Sequence, residues 1–140
     1  MRGARGADNL IGGDGLDQLT GAAGPDTLSG GAGGDKFIFQ ATNHTTVARP
    51  DVISDFSHSE AGKIDLSKID AKVAVAGNQI FTFIGANAFA GGGSTGAGKL
   101  RYEDTGSETH ILGDVNGDGV ADFMIVLSGQ LNLQSGDFIL

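Results

Sequence analysis

Four aspartates, Asp8, Asp17, Asp26 and Asp35, recur at nine-residue intervals, and each closes a six-residue stretch rich in glycine. The stretches read GARGAD (3–8), GGDGLD (12–17), GAAGPD (21–26) and GGAGGD (30–35). Carboxylates set among glycine-rich backbone form a donor set made only of oxygen. Such a set suits calcium, a hard cation that takes about six to eight oxygen ligands in flexible geometry. Glycine at alternate loop positions serves the same end, because it adopts positive φ freely and lets carbonyl oxygens turn toward one point. The expected metal donors are therefore the carboxylates of Asp8, Asp17, Asp26 and Asp35 with the backbone oxygens of Gly6, Gly13, Gly15, Gly24, Gly31 and Gly33. Calcium is the one cofactor this pattern implies.

These donors need a scaffold that repeats with them. Two residues after each aspartate stands one large apolar side chain: Leu10, Leu19, Leu28 and Phe37. Three residues per unit suffice for a short strand whose middle side chain faces inward. Nine residues then make half a turn of a coil, so loops on one edge recur every eighteen residues. Loop 3–8 is expected to stack on loop 21–26, and loop 12–17 on loop 30–35, with a cation between stacked aspartates. A flexible Gly/Asp linker has the same composition, but it has no need of apolar residues in fixed register.

Length and composition bound the remainder. At 140 residues the chain fits one ordinary domain, or a small repeat segment fused to a compact unit. It has no cysteine, so disulfides are excluded and another staple is required. Seventeen acidic and nine basic residues give a net charge of −8 without a basic cluster, which argues against nucleic acid and anionic membrane surfaces as partners. The apolar run Phe123–Leu127 is far too short to span a bilayer. No signal peptide pattern opens the chain, which reads as a piece excised from a longer repeat array.

The pattern changes after Phe39. Residues 40–50 are a polar connection, and from Asp51 onward the sequence reads as strands. These are expected at Val52–Asp55, Lys63–Leu66, Ile80–Ile84, Lys99–Glu103, Thr109–Val115, Val120–Leu127 and Phe138–Leu140. Short helical turns are expected at Ser67–Asp70, capped by Ser67, and around Asn87–Ala90, with Ala90–Gly98 a loop. Most of the eight phenylalanines fall in or beside strands and are expected to share one core. The fold class is all-β: a parallel β-roll over 1–39, capped by a β-rich, sandwich-like region over 40–140.

One more segment has the look of a metal loop. Asp114-Val-Asn-Gly-Asp118-Gly119 matches the opening of an EF-hand loop, yet its twelfth position is Ile125 instead of the bidentate glutamate. Its flanks alternate like strands, and Asn-Gly and Asp-Gly are strong hairpin dipeptides. The residues favour a hairpin over a calcium site. Asp65 and Asp70 lie at the ends of a short turn and are expected to cap it.

The nonapeptide G-[GA]-x-G-x-D-x-U-x, with U apolar, resembles the calcium-binding repeat of RTX proteins. The segments GGAGGDKFIF (30–39), PDVISDF (50–56), KIDLSKID (63–70), LRYED (100–104), GDVNGDGVADFMIVLSG (113–129) and the terminal DFIL follow in order. Together they resemble the C-terminal calcium-binding domain of serralysin-type metalloproteases, and are similar in part to modules of secreted lipases and to alginate epimerase R-modules. The resemblance implies calcium-driven folding outside the cell and export by a type I transporter that reads the tail Asp137-Phe138-Ile139-Leu140. It further implies that Asp51 closes the last calcium site.

A non-catalytic module of an exported enzyme is thus the expected function, most simply a metalloprotease. A serralysin holds zinc in HExxH, and His44, His58 and His110 lack that spacing; His44 and His58 are expected at the surface. No GxSxG elbow is present. The alternative is an accessory module for a polysaccharide or cell surface. That role wants a stripe of cations or aromatics, whereas the roll segment has only Arg2, Arg5 and Lys36 and no exposed aromatic, so a polysaccharide partner is possible but unsupported.

Overall fold

The apolar residue of each repeat decides how the chain winds. In the computed structural model, which describes residues 1–140 except the side chain of Ser94, Leu10, Leu19, Leu28 and Phe37 all point into one core. Leu10 on β1 (Asn9–Asp14) lies beside Leu28 on β3 (Thr27–Ala32), and Leu19 on β2 (Gln18–Leu19) beside Phe37 on β4 (Lys36–Ile38). Both pairings are parallel and eighteen residues apart. The chain therefore alternates between two sheets, which makes it a parallel β-roll.

Both ladders continue past the repeats. Leu28 pairs with Ile53 on β5 (Asp51–Ile53), and Ile53 with Leu127 on β10 (Phe123–Ser128). Phe37 pairs with Ile64 on β6 (Lys63–Asp65), and Ile64 with Phe138 on β11 (Phe138–Ile139). Inserted connections lengthen the register to 25 residues on one side and 27 on the other, while the inward residues stay aligned. Beyond β10 one sheet turns antiparallel through β9 (Glu108–Asp114) and β8 (Lys99–Asp104), and β7 (Thr82–Phe83) closes it in parallel. The two sheets run β1-β3-β5-β10-β9-β8-β7 and β11-β6-β4-β2.

One core unites the two halves. Phe37 and Phe56 pack at 6.3 Å between ring centres, Phe81 and Phe123 at 5.7 Å, and Phe83 and Phe138 at 5.0 Å. The polar connection 40–50 contributes one fully buried residue, Thr45. Its hydroxyl donates to the Met124 carbonyl and accepts the Asp51 N–H at 2.9 Å, so it anchors the start of β5 against β10.

The strands fall where expected, with their ends shifted by one to three residues. Ile80 and Val120 lie outside theirs and are exposed. The helical expectations fail. Ser67–Asp70 is a single turn, because Asp65 accepts both the N–H and the hydroxyl of Ser67, at 3.0 and 2.6 Å. Ser67 is thus a donor in the turn and does not cap it. Asp70 accepts the N–H groups of Lys72 and Gln79, at 3.0 and 3.1 Å, and Asn87–Ala90 forms no helix. Short 3-10 turns occur instead at Gly93–Thr95 and Ser135–Asp137.

The segment Val115–Asp122 is the loop of an antiparallel hairpin joining β9 to β10, with Gly113 opposite Phe123. Asp114 is fully buried, and its carboxylate accepts the N–H groups of Gly117 and Gly119 at 2.5 and 2.9 Å. Asp122 accepts the Val115 N–H at 2.7 Å and an Asn116 amide hydrogen at 2.8 Å. Carboxylates that hold the loop's own backbone replace the ladder bonds that the turn cannot make. Asp114→Ala would strand two amide donors, so it is expected to destabilise the fold by about 1–3 kcal/mol. Denaturant unfolding reads this loss, and hydrogen exchange should quicken first at Gly117 and Gly119.

Candidate metal centre

Parallel winding brings the expected donors together in two rows. On one loop edge the Asp8 N–H donates to Asp26 Oδ1 at 2.8 Å, and the Asp26 N–H donates to Asp51 Oδ1 at 2.9 Å. On the other edge the Asp17 N–H donates to Asp35 Oδ1 at 2.9 Å. The carboxylates of Asp26, Asp51 and Asp35 thus each reach the amide of the aspartate in the preceding coil. Asp51 occupies the third rung of the first row although it follows no nonapeptide.

The second carboxylate oxygens are what the protein leaves over. Asp17 Oδ2 and Asp26 Oδ2 are buried and have no hydrogen-bond partner. A buried unpartnered carboxylate oxygen is strongly unfavourable unless a cation meets it. Asp8 Oδ2, half-buried at the outer coil, instead accepts the Ala4 N–H at 2.8 Å. The orphaned oxygens and an all-oxygen surround fit calcium and do not suit a metal that prefers nitrogen or sulfur.

Loop backbone makes the remaining space. Gly6, Gly13, Gly15, Gly24, Gly31 and Gly33 all adopt positive φ, between 92° and 129°. At Gly24 and Gly33 the requirement is doubled, because a Cβ there would also overlap the carbonyl oxygens of Gly6 and Gly15 in the neighbouring loop. A side chain at either position would push stacked loops apart. Ala22 takes φ 79° at the position where the neighbouring loops carry Gly13 and Gly31, a conformation costing an L-residue roughly 1–2 kcal/mol.

Among the described residues, no point gathers three or more His, Cys, Asp or Glu side chains suited to a metal. Two stacked aspartates per level with backbone oxygens is a different arrangement from a side-chain cluster. The histidines lie apart from one another: His58 Nδ1 meets Asp137 at 2.7 Å, and His110 faces Glu108 and Glu103 at 3.3 and 3.9 Å.

Two acids at this edge were not singled out by their residue types. Asp55 accepts the Ser29 hydroxyl at 2.7 Å and the N–H groups of Gly30 and Gly31, both at 2.9 Å. Glu60 accepts the Gly33 N–H at 3.3 Å. They stand where a further repeat would stack on loop 30–35. The 25- and 27-residue registers that bring them there depend on connection lengths, which carry no repeat signal.

Electrostatics follows from stacking. Burial pushes the Asp26 carboxyl up, the Asp8 N–H opposes that, the Asp8 carboxylate reinforces it and His44 opposes it. Burial likewise pushes Asp51 up to about 7, against the Asp26 N–H and with repulsion from the Asp26 carboxylate.

The family described as peptidase M10 serralysin C terminal matches residues 4–140. Among solved structures, the AlgE6R2 subunit of the Azotobacter vinelandii mannuronan C5-epimerase is similar at 26% identity. That match covers 99% of this chain and 80% of the other, with a TM-score of 0.66. The AlgE6R3 subunit of the same enzyme shares the fold at 24% identity and a TM-score of 0.53, covering 99% of this chain and 76% of the other. No curated protein matches the chain.

The raised carboxyls give the ion-free chain a defined pH response. An unfolded aspartate titrates near 3.9, whereas Asp51 in the fold holds its proton to about 7. The folded state therefore binds more protons than the unfolded one between these values, and its stability falls as pH rises through that window. In chelator, circular dichroism is expected to show more β-structure at pH 5 than at pH 8. The reverse order would remove the buried carboxylates as the controlling groups.

Proposed function

Because the chain belongs to the peptidase M10 serralysin C-terminal family, we propose that it is a non-catalytic calcium-binding module that folds on the metal and supports export and stability of a larger secreted protein. The observation that carries this reading is the pair of buried, unpartnered oxygens at Asp17 and Asp26 within rows of stacked aspartates. Asp8, Asp26 and Asp51 hold calcium along one edge, and Asp17 with Asp35 along the other. Backbone oxygens of Gly6, Gly13, Gly15, Gly24, Gly31 and Gly33 complete the coordination. Calcium supplies the positive charge that lets the like carboxylates stack.

Each coil buries two large apolar side chains, a small core for eighteen residues of ordered backbone. The metal makes up the difference. Extracellular calcium modules work at about 10⁻⁴–10⁻³ M, so the chain stays unfolded where calcium is scarce and folds outside the cell. Among the described residues, no helix is long and apolar enough to cross a membrane. The parent is a secreted enzyme, a metalloprotease by family.

Two experiments test this. In chelator, residues 3–39 are expected to exchange amide hydrogens rapidly, and millimolar calcium is expected to bring protection and β signal. Asp17→Ala and Asp26→Ala should each weaken binding at a different edge, while Asp104→Ala, exposed on β8, should be silent. Equally slow exchange in excess chelator would sink the calcium reading.

The tail is the export signal. Phe138 is buried and pairs with Ile64 in the folded state, so a type I transporter meets it only before folding. Removing Phe138–Leu140 is expected to abolish export in a host with a matching transporter while leaving calcium binding to the repeats largely intact. Export at the normal rate would reduce the tail to a structural strand.

A further inference from the structure

The turn dipeptides of the loop between β9 and β10 carry a chemistry of their own. Asn116-Gly117 is the one Asn-Gly pair in the chain, and Asp118-Gly119 follows it directly. In such pairs the glycine nitrogen can attack the preceding side-chain carbon and close a succinimide ring, because no Cβ hinders the approach. Asparagine is thermolabile for its readiness to lose its amide. The fold cannot discard these glycines. Gly117 and Gly119 have φ of 81° and 88°, which an L-residue rarely adopts, and a Cβ at Gly117 would overlap the Gly93 carbonyl oxygen. Asn116 and Asp118 are exposed, so water reaches both. The hairpin therefore builds two labile pairs into its surface.

The hydrogen bonds of the loop oppose the reaction at each pair. The buried Asp114 carboxylate gives one oxygen to each nucleophile: Oδ1 accepts the Gly117 N–H and Oδ2 the Gly119 N–H. Attack needs the nitrogen to shed its proton. A nitrogen anion against a buried carboxylate would set two like charges together where water screens them poorly. The electrophiles are held as well. Asn116 Oδ1 accepts the Asp118 N–H and Asp118 Oδ1 the Val120 N–H, both at 2.8 Å, so each side chain is turned toward the amide two residues on. The Asn116 amide also donates to Asp122 Oδ1 at 2.8 Å.

We propose that Asn116 is a site of spontaneous deamidation that Asp114 keeps closed in the folded chain and that opens when the loop unfolds. In the step, the Gly117 nitrogen bonds to Asn116 Cγ and the Cγ–Nδ2 bond breaks. The Gly117 proton passes by way of water to the departing amide, which leaves as ammonia. Water then opens the succinimide at either carbonyl, giving aspartate or isoaspartate. Asp118 isomerises through the same ring, with loss and return of water. The product at Asn116 carries a carboxylate where the amide donated to Asp122, so two carboxylates face each other across the loop. Isoaspartate also lengthens the backbone by one methylene and carries Gly117 off Asp114. An aged chain closes this hairpin poorly, and time spent unfolded is written into its covalent structure.

The test is peptide mapping by mass spectrometry, with an isoaspartate assay, after prolonged incubation at pH 8. Calcium is present throughout, and the chain is either folded, as circular dichroism on the same samples verifies, or unfolded in guanidinium chloride. Asn116 is expected to convert in the unfolded chain and to stay intact in the folded one. Asp114→Asn removes the charge beside both glycines and the acceptor at one, and is expected to speed conversion of Asn116 in the folded chain by about tenfold or more. Ile64→Val, a core truncation in the other sheet, is expected to leave the rate near that of the unaltered chain. If Asp114→Asn does not fold, hydrogen exchange of the unaltered chain decides. The factor by which folding slows conversion of Asn116 is expected to match the factor by which it slows exchange of the Gly117 amide, since both need the same bond broken. Conversion at the unfolded rate in the folded chain, an unchanged rate in folded Asp114→Asn, or equal acceleration in Ile64→Val overturns the proposal. So does conversion slowed far less than Gly117 exchange.

Discussion

Parallel winding with an eighteen-residue register sets identical residues over one another, and in this chain it stacks carboxylates. Neighbouring strands lie about 4.8 Å apart, so aspartates in adjacent coils face each other with little screening. The protein answers part of the problem itself, since the Oδ1 atoms of Asp26, Asp35 and Asp51 each accept an amide from the neighbouring coil. The Oδ2 atoms of Asp17 and Asp26 are left buried and bare. Glycine content, loop stacking and the upward shift of Asp51 are all consequences of that geometry.

The apolar ladders explain how so irregular a second half joins so regular a first. Leu10, Leu28, Ile53 and Leu127 form one row, and Leu19, Phe37, Ile64 and Phe138 the other. The chain changes from parallel to antiparallel at β10 without disturbing either row, because β10 presents one edge to β5 and the other to β9. Connections of different length are absorbed at the loop edges, where water can satisfy the backbone.

Repetition made much of this legible before any coordinates. The four aspartates, their glycines and the inward apolar residues occur in phase, and local geometry then leaves one way to wind. The hairpin at Asp114–Asp122 was readable from its turn dipeptides and alternating flanks. Legibility stopped where position depends on the length of a segment that does not repeat. Asp55 and Glu60 cap loop 30–35, Thr45 is buried within a polar stretch, and Arg49 folds across to Arg5. None of these follows from residue type. The turn after Asp65 was misread as helix because a carboxylate two residues before an amide competes with the helical bond, and propensity does not report which prevails.

The alternation between two sheets has a bearing on how such chains change length. One nonapeptide crosses the roll once, so two are needed to return to the same side. Gain or loss of eighteen residues adds or removes a whole coil and leaves everything downstream where it was. Gain or loss of nine reverses the parity: each later strand would be delivered to the opposite sheet, and Asp51 would arrive at the edge that carries Asp35 instead of beneath Asp26. Arrays of this construction are therefore free to grow in pairs of repeats, and an odd repeat requires the entire following segment to be refitted.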